Sequence, residues 1–240
     1  MEKKNIKTCF IKKFYKNQID EQRLLKKNGK LFTSSKRIHA LEKAEYENYE
    51  LAILDDGLQD ASIQYNAKFV CFNDINWIGN GMTIPSGPLR EKINSLKNYE
   101  HVFLNGNLED SEFIEKEIFK INPKINIHIG EYFPTNLKDF DIDDKYIIFS
   151  GIGNHKTFIG MIKKNGLNVL KDIEFPDHYN YSNDDINKII EEANKFKCNI
   201  ITTEKDYLRI NNPNLDKIKF IKIKLKILDE EKLVKMILNL

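Results

Sequence analysis

Leu51-Ala52-Ile53-Leu54-Asp55-Asp56-Gly57-Leu58-Gln59-Asp60 is the stretch on which the reading of the whole chain turns. Four consecutive apolar residues describe a strand buried on both sides, and they run straight into two carboxylates and a glycine, so the acids stand at the strand's C-terminal end. In open α/β sheets that end is where ligands sit. Two adjacent Asp side chains repel each other unless a cation or a basic group compensates them, and a hydrated Mg2+ that bridges to phosphates suits such a place. The same residues also fit a strand that simply ends in a polar turn, because Asp-Gly is a common turn pair.

Working outward, residues 7–14 predict a strand centred on Cys9-Phe10-Ile11. Asp20 stands at the N-cap position of a helix that buries Leu24 and Leu25, and Glu21 is then a first-turn acid favoured by the helix dipole. A short strand near Leu31-Phe32-Thr33 and a helix over 36–47 lead into the acidic stretch. The succession strand, helix, strand, helix, strand implies right-handed parallel crossovers and a doubly wound sheet. A further strand over 68–72 precedes a long segment, 73–89, without regular structure, which contains Gly79-Asn80-Gly81 and Pro85-Ser86-Gly87-Pro88. A loop of that length inside a compact domain usually carries function, and its prolines and glycines argue for fixed turns. Arg90 and Glu91 follow it and open a short helix, where Arg90 either binds an anion or forms a surface salt bridge.

Beyond a strand at 101–106, a helix at 112–120 and a strand at 125–129, the segment 136–145 is acidic and polar and marks a domain boundary. The rhythm then restarts with Tyr146-Ile147-Ile148-Phe149-Ser150 as an apolar strand, Gly151-Ile152-Gly153-Asn154-His155 as a tight turn, and a helix over 156–165. Strands at 169–175, 199–203 and 218–228 alternate with helices at 182–195, 204–206 and from 229 onward. The alternation Ile221-Lys222-Ile223-Lys224-Leu225-Lys226-Ile227 reads as part of one edge strand guarded by lysines.

Composition narrows the function classes. With 31% charged residues and a formal net charge of +2, the chain lacks the strongly basic balance of a dedicated nucleic-acid binder. No apolar run reaches the roughly 18 residues that span a bilayer, and Met1-Glu2-Lys3-Lys4-Asn5 leads into no signal-peptide core. Cys9, Cys71 and Cys198 lack metal or redox spacing and read as core thiols of a reducing cytoplasm. Among 38 basic residues only Arg23, Arg37, Arg90 and Arg209 are arginine, so these positions mark places where a planar fork of donors matters.

Two sites of possible chemistry lie in the second half. The turn at Gly151–Thr157 has a strand before it, a helix after it and a Lys-Thr pair, but it does not fit G-x-x-x-x-G-K-[ST], and nothing else in the chain does. It is read as a tight strand-to-helix turn, with an anion site as the alternative. His178, beside Asp177, is placed for acid/base work or is simply a solvated turn residue.

Taken in order, Asp55-Asp56-Gly57-Leu58-Gln59, Gly79-Asn80-Gly81, Pro85-Ser86-Gly87-Pro88-Leu89-Arg90-Glu91, Gly151-Ile152-Gly153-Asn154, Phe175-Pro176-Asp177-His178 and Thr203-Glu204-Lys205-Asp206 resemble the tetraacyldisaccharide 4'-kinase family of lipid A biosynthesis in Gram-negative bacteria. The resemblance implies an α/β fold: a P-loop-kinase-like parallel sheet over 1–143, without its first strand and phosphate loop, and a second, smaller α/β domain over 144–240. It implies transfer of the ATP γ-phosphate, with Mg2+, to the 4'-hydroxyl of tetraacyldisaccharide 1-phosphate by a peripheral protein on the cytoplasmic side of the inner membrane. By the same resemblance Asp20 is the catalytic base and His178 its partner. Asp55, Asp56 and Glu21 are the metal ligands, Gln59 lies by the nucleotide, and Arg90 and Glu91 face the substrate.

The chain departs from the family in having Asp60 where a histidine is common, His155 in place of a proline, and no Walker A loop, which is read as an N-terminal truncation. Two other readings of the same residues are a non-catalytic remnant that binds lipid or a partner protein, and a metal-dependent hydrolase built on Asp20, Asp55 and Asp56.

Overall fold

The computed structural model describes residues 4–15, 19–106 and 111–240, and of residues 19–21 the backbone only. The described elements are β1 (Thr8–Lys13), α1 (Ile19–Asn28), β2 (Lys30–Ser34), α2 (Arg37–Tyr46), β3 (Leu51–Leu54), β4 (Phe69–Asn73), β5 (His101–Gly106), α3 (Ser111–Ile121), β6 (Asn126–Pro134), β7 (Lys145–Ser150), α4 (His155–Lys164), β8 (Asn168–Glu174), α5 (Asn183–Phe196), β9 (Asn199–Thr203), α6 (Glu204–Tyr207), β10 (Ile218–Ile221), β11 (Ile223–Ile227) and α7 (Glu230–Leu238). They fall into two compact units, one of Met1–Lys68 with Glu231–Leu240 and one of Phe69–Glu230.

In the first unit β1 is the middle strand of a parallel sheet in the order β2-β1-β3. Its alternate residues Cys9 and Ile11 are buried and meet Phe32 of β2. Ala40 and Ala44, four apart and therefore on one helix face, bring α2 onto the same core. The small side chains let the helix lie close to the sheet. The N–H of Asp55 donates to the Ile11 carbonyl at 3.0 Å, so the ladder runs one residue past β3 and fixes where the acidic turn begins.

The second unit holds two four-stranded sheets. One has the order β11-β6-β5-β4, with β4, β5 and β6 parallel and β11 antiparallel to β6; the other, β10-β9-β7-β8, is parallel throughout. The unbroken apolar run of β7 follows from its position. Tyr146 and Ile148 pack toward Phe158, Met161 and Ile162 of α4, while Ile147 and Phe149 pack toward Ile186, Ile189 and Ile190 of α5. A strand covered on both faces needs apolar residues at every position, and each such burial is worth about 1.5–3 kcal/mol. The chain leaves one sheet at Pro134, the end of β6, and enters the other at Lys145, the start of β7, a passage wholly within the second unit.

Three expectations are corrected. The strand predicted over 218–228 is two strands in different sheets: Ile221 pairs with Thr203 of β9, and Ile223 with Pro134 of β6. The break is at Lys222, whose N–H donates to Asn136 Oδ1 at 2.8 Å and whose carbonyl accepts from the Thr135 N–H at 2.8 Å. Cys71 is not a core residue but an exposed one on β4, while Cys9 is fully buried. The helix expected to be capped by Asp20 starts at Ile19, which puts Asp20 and Glu21 in its first turn; their side chains lie outside the described residues.

Candidate active site

In the first unit the site is the turn that β3 enters. Asp55 and Asp56 are brought together there, with Asp55 half-buried and Asp56 exposed at a left-handed φ of 56°. Lys12, near the end of the neighbouring β1, is buried, and its ammonium pairs with the Asp55 carboxylate. A charged amine taken out of water needs such a partner. Arg37 begins α2 and is also buried. Its Nη2 donates to the carbonyl oxygens of Asp56 at 2.7 Å and Asp55 at 3.4 Å, and its Nη1 lies 3.5 Å from the Asp60 carboxylate. The guanidinium thus ties down the carbonyls of the turn.

From the far side the Tyr65 hydroxyl donates to the Gly57 carbonyl at 2.6 Å. Burial raises the Tyr65 phenol above its usual pKa, so it stays a donor. The Ser62 hydroxyl donates to Asp60 at 2.5 Å and, with Arg37 adding to it, holds that carboxyl below the usual range. Asp60 is therefore part of the turn's scaffold. Gln59 is exposed on the same loop.

The donor set suits Mg2+ only in one form. Among the described residues no group of three His, Cys, Asp or Glu side chains is arranged to hold a metal by itself. Two neighbouring carboxylates, one of them already sharing its charge with Lys12, match an ion that takes one or two protein carboxylates and fills its shell with water and phosphate oxygens.

In the second unit the loop after β4 is tightly built. The Asn80 amide donates to the Ser86 carbonyl at 2.8 Å and its Oδ1 accepts from the Met82 N–H at 3.0 Å. Gly87 packs so closely that a Cβ would lie 2.2 Å from Asn80 Oδ1 and 2.4 Å from the Met82 carbonyl oxygen, so only glycine fits. Gly79 has φ 58°, and a Cβ there would meet Pro88 Cγ at 2.7 Å. Asn76 Nδ2 donates to Asn154 Oδ1 at 3.0 Å, which ties this loop to the turn before α4.

Arg90 is exposed at the end of the loop, just ahead of a 3-10 turn over Ile93–Asn98. Glu91 accepts from the Tyr99 hydroxyl at both oxygens, 2.9 and 3.0 Å, and burial together with that bond pushes the Tyr99 phenol up to about 12.

His178 sits at φ 60° in the turn after β8, its N–H donating to Asp177 Oδ1 at 2.9 Å and directed to the Gly151 carbonyl at 3.1 Å. The anion site considered for Gly151-Ile152-Gly153 is already served by the protein, because the Gly151 N–H donates to Oδ2 of the buried Asp206 at 3.2 Å. His155 links Ser150 Oγ at 2.7 Å to Asp172 Oδ2 at 3.3 Å. Although the order is that of a nucleophile triad, Ser150 is 0% exposed, so no substrate reaches its hydroxyl and the three residues brace the end of β7.

Sequence reasoning proposed the acidic turn, the glycines, Arg90, Glu91 and His178 as candidates. It missed Lys12, Tyr99 and the place of Asp206. Arg37 and Arg209 carried one signal, their rarity among lysines.

A family model described as Tetraacyldisaccharide-1-P 4'-kinase matches residues 16–240. The tetraacyldisaccharide 4'-kinase of Pelagibacter ubique is 56% identical over 240 residues, which is 100% of this chain and 76% of that protein. The enzyme of the same name from Wigglesworthia glossinidia brevipalpis is 31% identical over 79% of this chain, which spans only 51% of that relative's length. A solved structure of LpxK from Aquifex aeolicus, determined in complex with ATP, aligns with TM-score 0.63 and 22% identity over 98% of this chain and 79% of its own, a likeness of fold. All these relatives are kinases by name, so neither the hydrolase nor the non-catalytic reading draws support from them. The chain belongs to the tetraacyldisaccharide-1-P 4'-kinase family, transferases of lipid A biosynthesis.

Proposed function

We propose that the chain transfers the γ-phosphate of ATP to the 4'-hydroxyl of a tetraacyldisaccharide 1-phosphate, working as a peripheral protein at the cytoplasmic face of the inner membrane. The observation that carries this reading is the Asp55-Asp56 turn at the end of β3, with its carbonyls held by Arg37 and one carboxylate by Lys12, within a family match that runs from residue 16 to residue 240. Residues 1–143 supply the phosphoryl-transfer part and 144–240 the smaller α/β part. No described helix is long and apolar enough to cross a membrane, and the lysine-rich first residues offer charge for contact with anionic lipid.

Phosphoryl transfer asks a protein mainly for positioning and charge neutralisation. Asp55 and Asp56, with Glu21, would hold Mg2+, which when bound supplies positive charge against phosphate oxygens. Gln59 stands by the nucleotide. Asp20 accepts the proton of the sugar hydroxyl, and His178 supports it. Arg90 binds a substrate phosphate, and Glu91, its carboxylate kept in place by Tyr99, contacts the sugar.

The test is Mg2+- and ATP-dependent labelling of tetraacyldisaccharide 1-phosphate by the chain. Asp55→Ala is expected to reduce transfer to background and Asp20→Ala to lower kcat by roughly 10²–10⁴-fold, the usual worth of a general base. No transfer at saturating ATP and Mg2+, or full activity in Asp55→Ala, overturns the reading.

A further inference from the structure

Arg209 directs its guanidinium at the ring of His178, with Nη2 3.0 Å from Nδ1. A guanidinium has only N–H donors and keeps its proton at any ordinary pH. Nδ1 is therefore the acceptor, and in the neutral ring the proton is on Nε2. Asp177 Oδ2, 3.9 Å from Nε2, is too far to take that proton in a hydrogen bond.

Arg209 is itself held from behind. Its Nη1 lies 3.7 Å from Asp206 Oδ1 and 3.5 Å from the Gly151 carbonyl oxygen. Asp206 is 0% exposed, and its Oδ2 accepts from the Thr203 hydroxyl at 2.6 Å as well as from the Gly151 N–H. The Gly151 carbonyl that Arg209 approaches is the one to which the His178 N–H is directed. Gly151 has no room for a side chain, since a Cβ would stand 2.9 Å from the Tyr181 hydroxyl and 3.1 Å from the Pro176 carbonyl. The ring and the backbone of His178 are thus both referred to one rigid point, and the line Thr203–Asp206–Arg209–His178 runs from a buried carboxylate to a half-exposed imidazole.

We propose that Arg209 is a positioning residue that holds His178 in the Nε2–H tautomer, so that the imidazole offers an N–H donor to a carboxylate acceptor. Its value to the reaction rests on the role given to His178 under the proposed function; the tautomer does not.

The test is long-range 1H–15N correlation of the histidine rings in the 15N-labelled 240-residue chain, at alkaline pH where imidazoles are neutral. The His178 signals are identified by their loss in His178→Gln. The wild-type spectrum decides by itself: a proton on Nε2 supports the proposal and a proton on Nδ1 overturns it. In Arg209→Met, which removes the donors, a population with the proton on Nδ1 is expected to appear, while the signals of the buried His128 and His155 stay in place and report an intact fold. An Arg209→Met spectrum identical to wild type also overturns the proposal. In the kinase assay Arg209→Met is expected to lower kcat and leave KM for ATP unchanged, and a change in KM alone counts against it. Full activity in His178→Gln would overturn the catalytic role of His178 and leave the tautomer result standing.

Discussion

Asp55 and Asp56 are neighbours in sequence with unlike surroundings: one carboxylate shares its charge with a buried lysine, the other stands exposed on a left-handed residue. Lys12, the partner of the Asp55 carboxylate, is 43 residues away, so no local pattern exposes it. Glu91 and Tyr99 show the same problem at shorter range. Their pairing depends on how a 3-10 turn folds back, which glutamate and tyrosine side chains do not encode by spacing alone. The Tyr99 phenol is raised from 10.0 to about 12, first by burial and then by Glu91. An acid whose folded pKa lies above its unfolded one contributes stability that is whole below the unfolded value and is lost as pH rises through the folded one. Tyr99→Phe is expected to cost about 1 kcal/mol at neutral pH. The difference from wild type should narrow as pH climbs from 10.0 toward about 12. Denaturant unfolding across that range checks it, and a difference that stays constant would mean the Glu91 bond is not its source. The residues legible in advance, Asp55, Asp56, Gly79 and Gly87, are those whose role is a property of their own backbone or charge. Arg37 and Arg209 were legible only because arginine is scarce in this chain.

At the scale of elements, signals carried within a segment were readable and signals carried between segments were not. The apolar run 146–150 announced a strand, and α4 and α5 cover its two faces. The run 51–54, which reads as buried on both sides, instead forms a β3 that is only partly buried, with Ile53 44% exposed. The apolar-lysine alternation after Ile221 announced strand but hid the change of sheet, because Asn136 and Thr135, which take the Lys222 backbone, belong to another part of the sequence. The start of α5 is a local signal that the structure realises in full. The Ser182 hydroxyl accepts from the Asp185 N–H at 3.1 Å, and Asp185 Oδ2 accepts from the Ser182 N–H at 3.0 Å, a capping box. The Ser182 contacts hold the Asp185 carboxyl below its usual pKa. Ser182→Ala is expected to destabilise the unit by about 1 kcal/mol. A depressed carboxyl contributes stability above its unfolded pKa and loses it as pH falls through the folded one. The effect of Ser182→Ala should therefore shrink in acid below the ordinary carboxylate range, which thermal unfolding at neutral and acidic pH measures; an effect that grows in acid would contradict the box.

For the molecule as a whole, the two compact units have cores that share no residue: Cys9, Ile11, Phe32, Ala40 and Ala44 in the first, and the two faces of β7 in the second. Cavities cost stability where the packing is lost, by about 2–5 kcal/mol for Ile→Ala at a fully buried site. Local opening follows cooperative units rather than the chain's length. Ile11 and Ile148 are both 0% exposed, which makes them matched probes. In native-state hydrogen exchange Ile11→Ala is expected to speed exchange in β1, β2 and β3, and Ile148→Ala in β7, β8 and β9, each leaving the other set at its wild-type rate. A uniform rise across both sets in either variant would show one cooperative unit and sink the division at Lys68/Phe69. The distinction bears on chemistry, because the Asp55-Asp56 turn belongs to the first unit and the Arg209–His178 pair to the second. If the units open separately, Ile11→Ala loosens the Asp55-Asp56 turn and leaves the His178 ring signals unchanged. Activity lost in that variant would then be traced to the first unit, which carries the acidic turn together with Asp20 and Glu21 on α1.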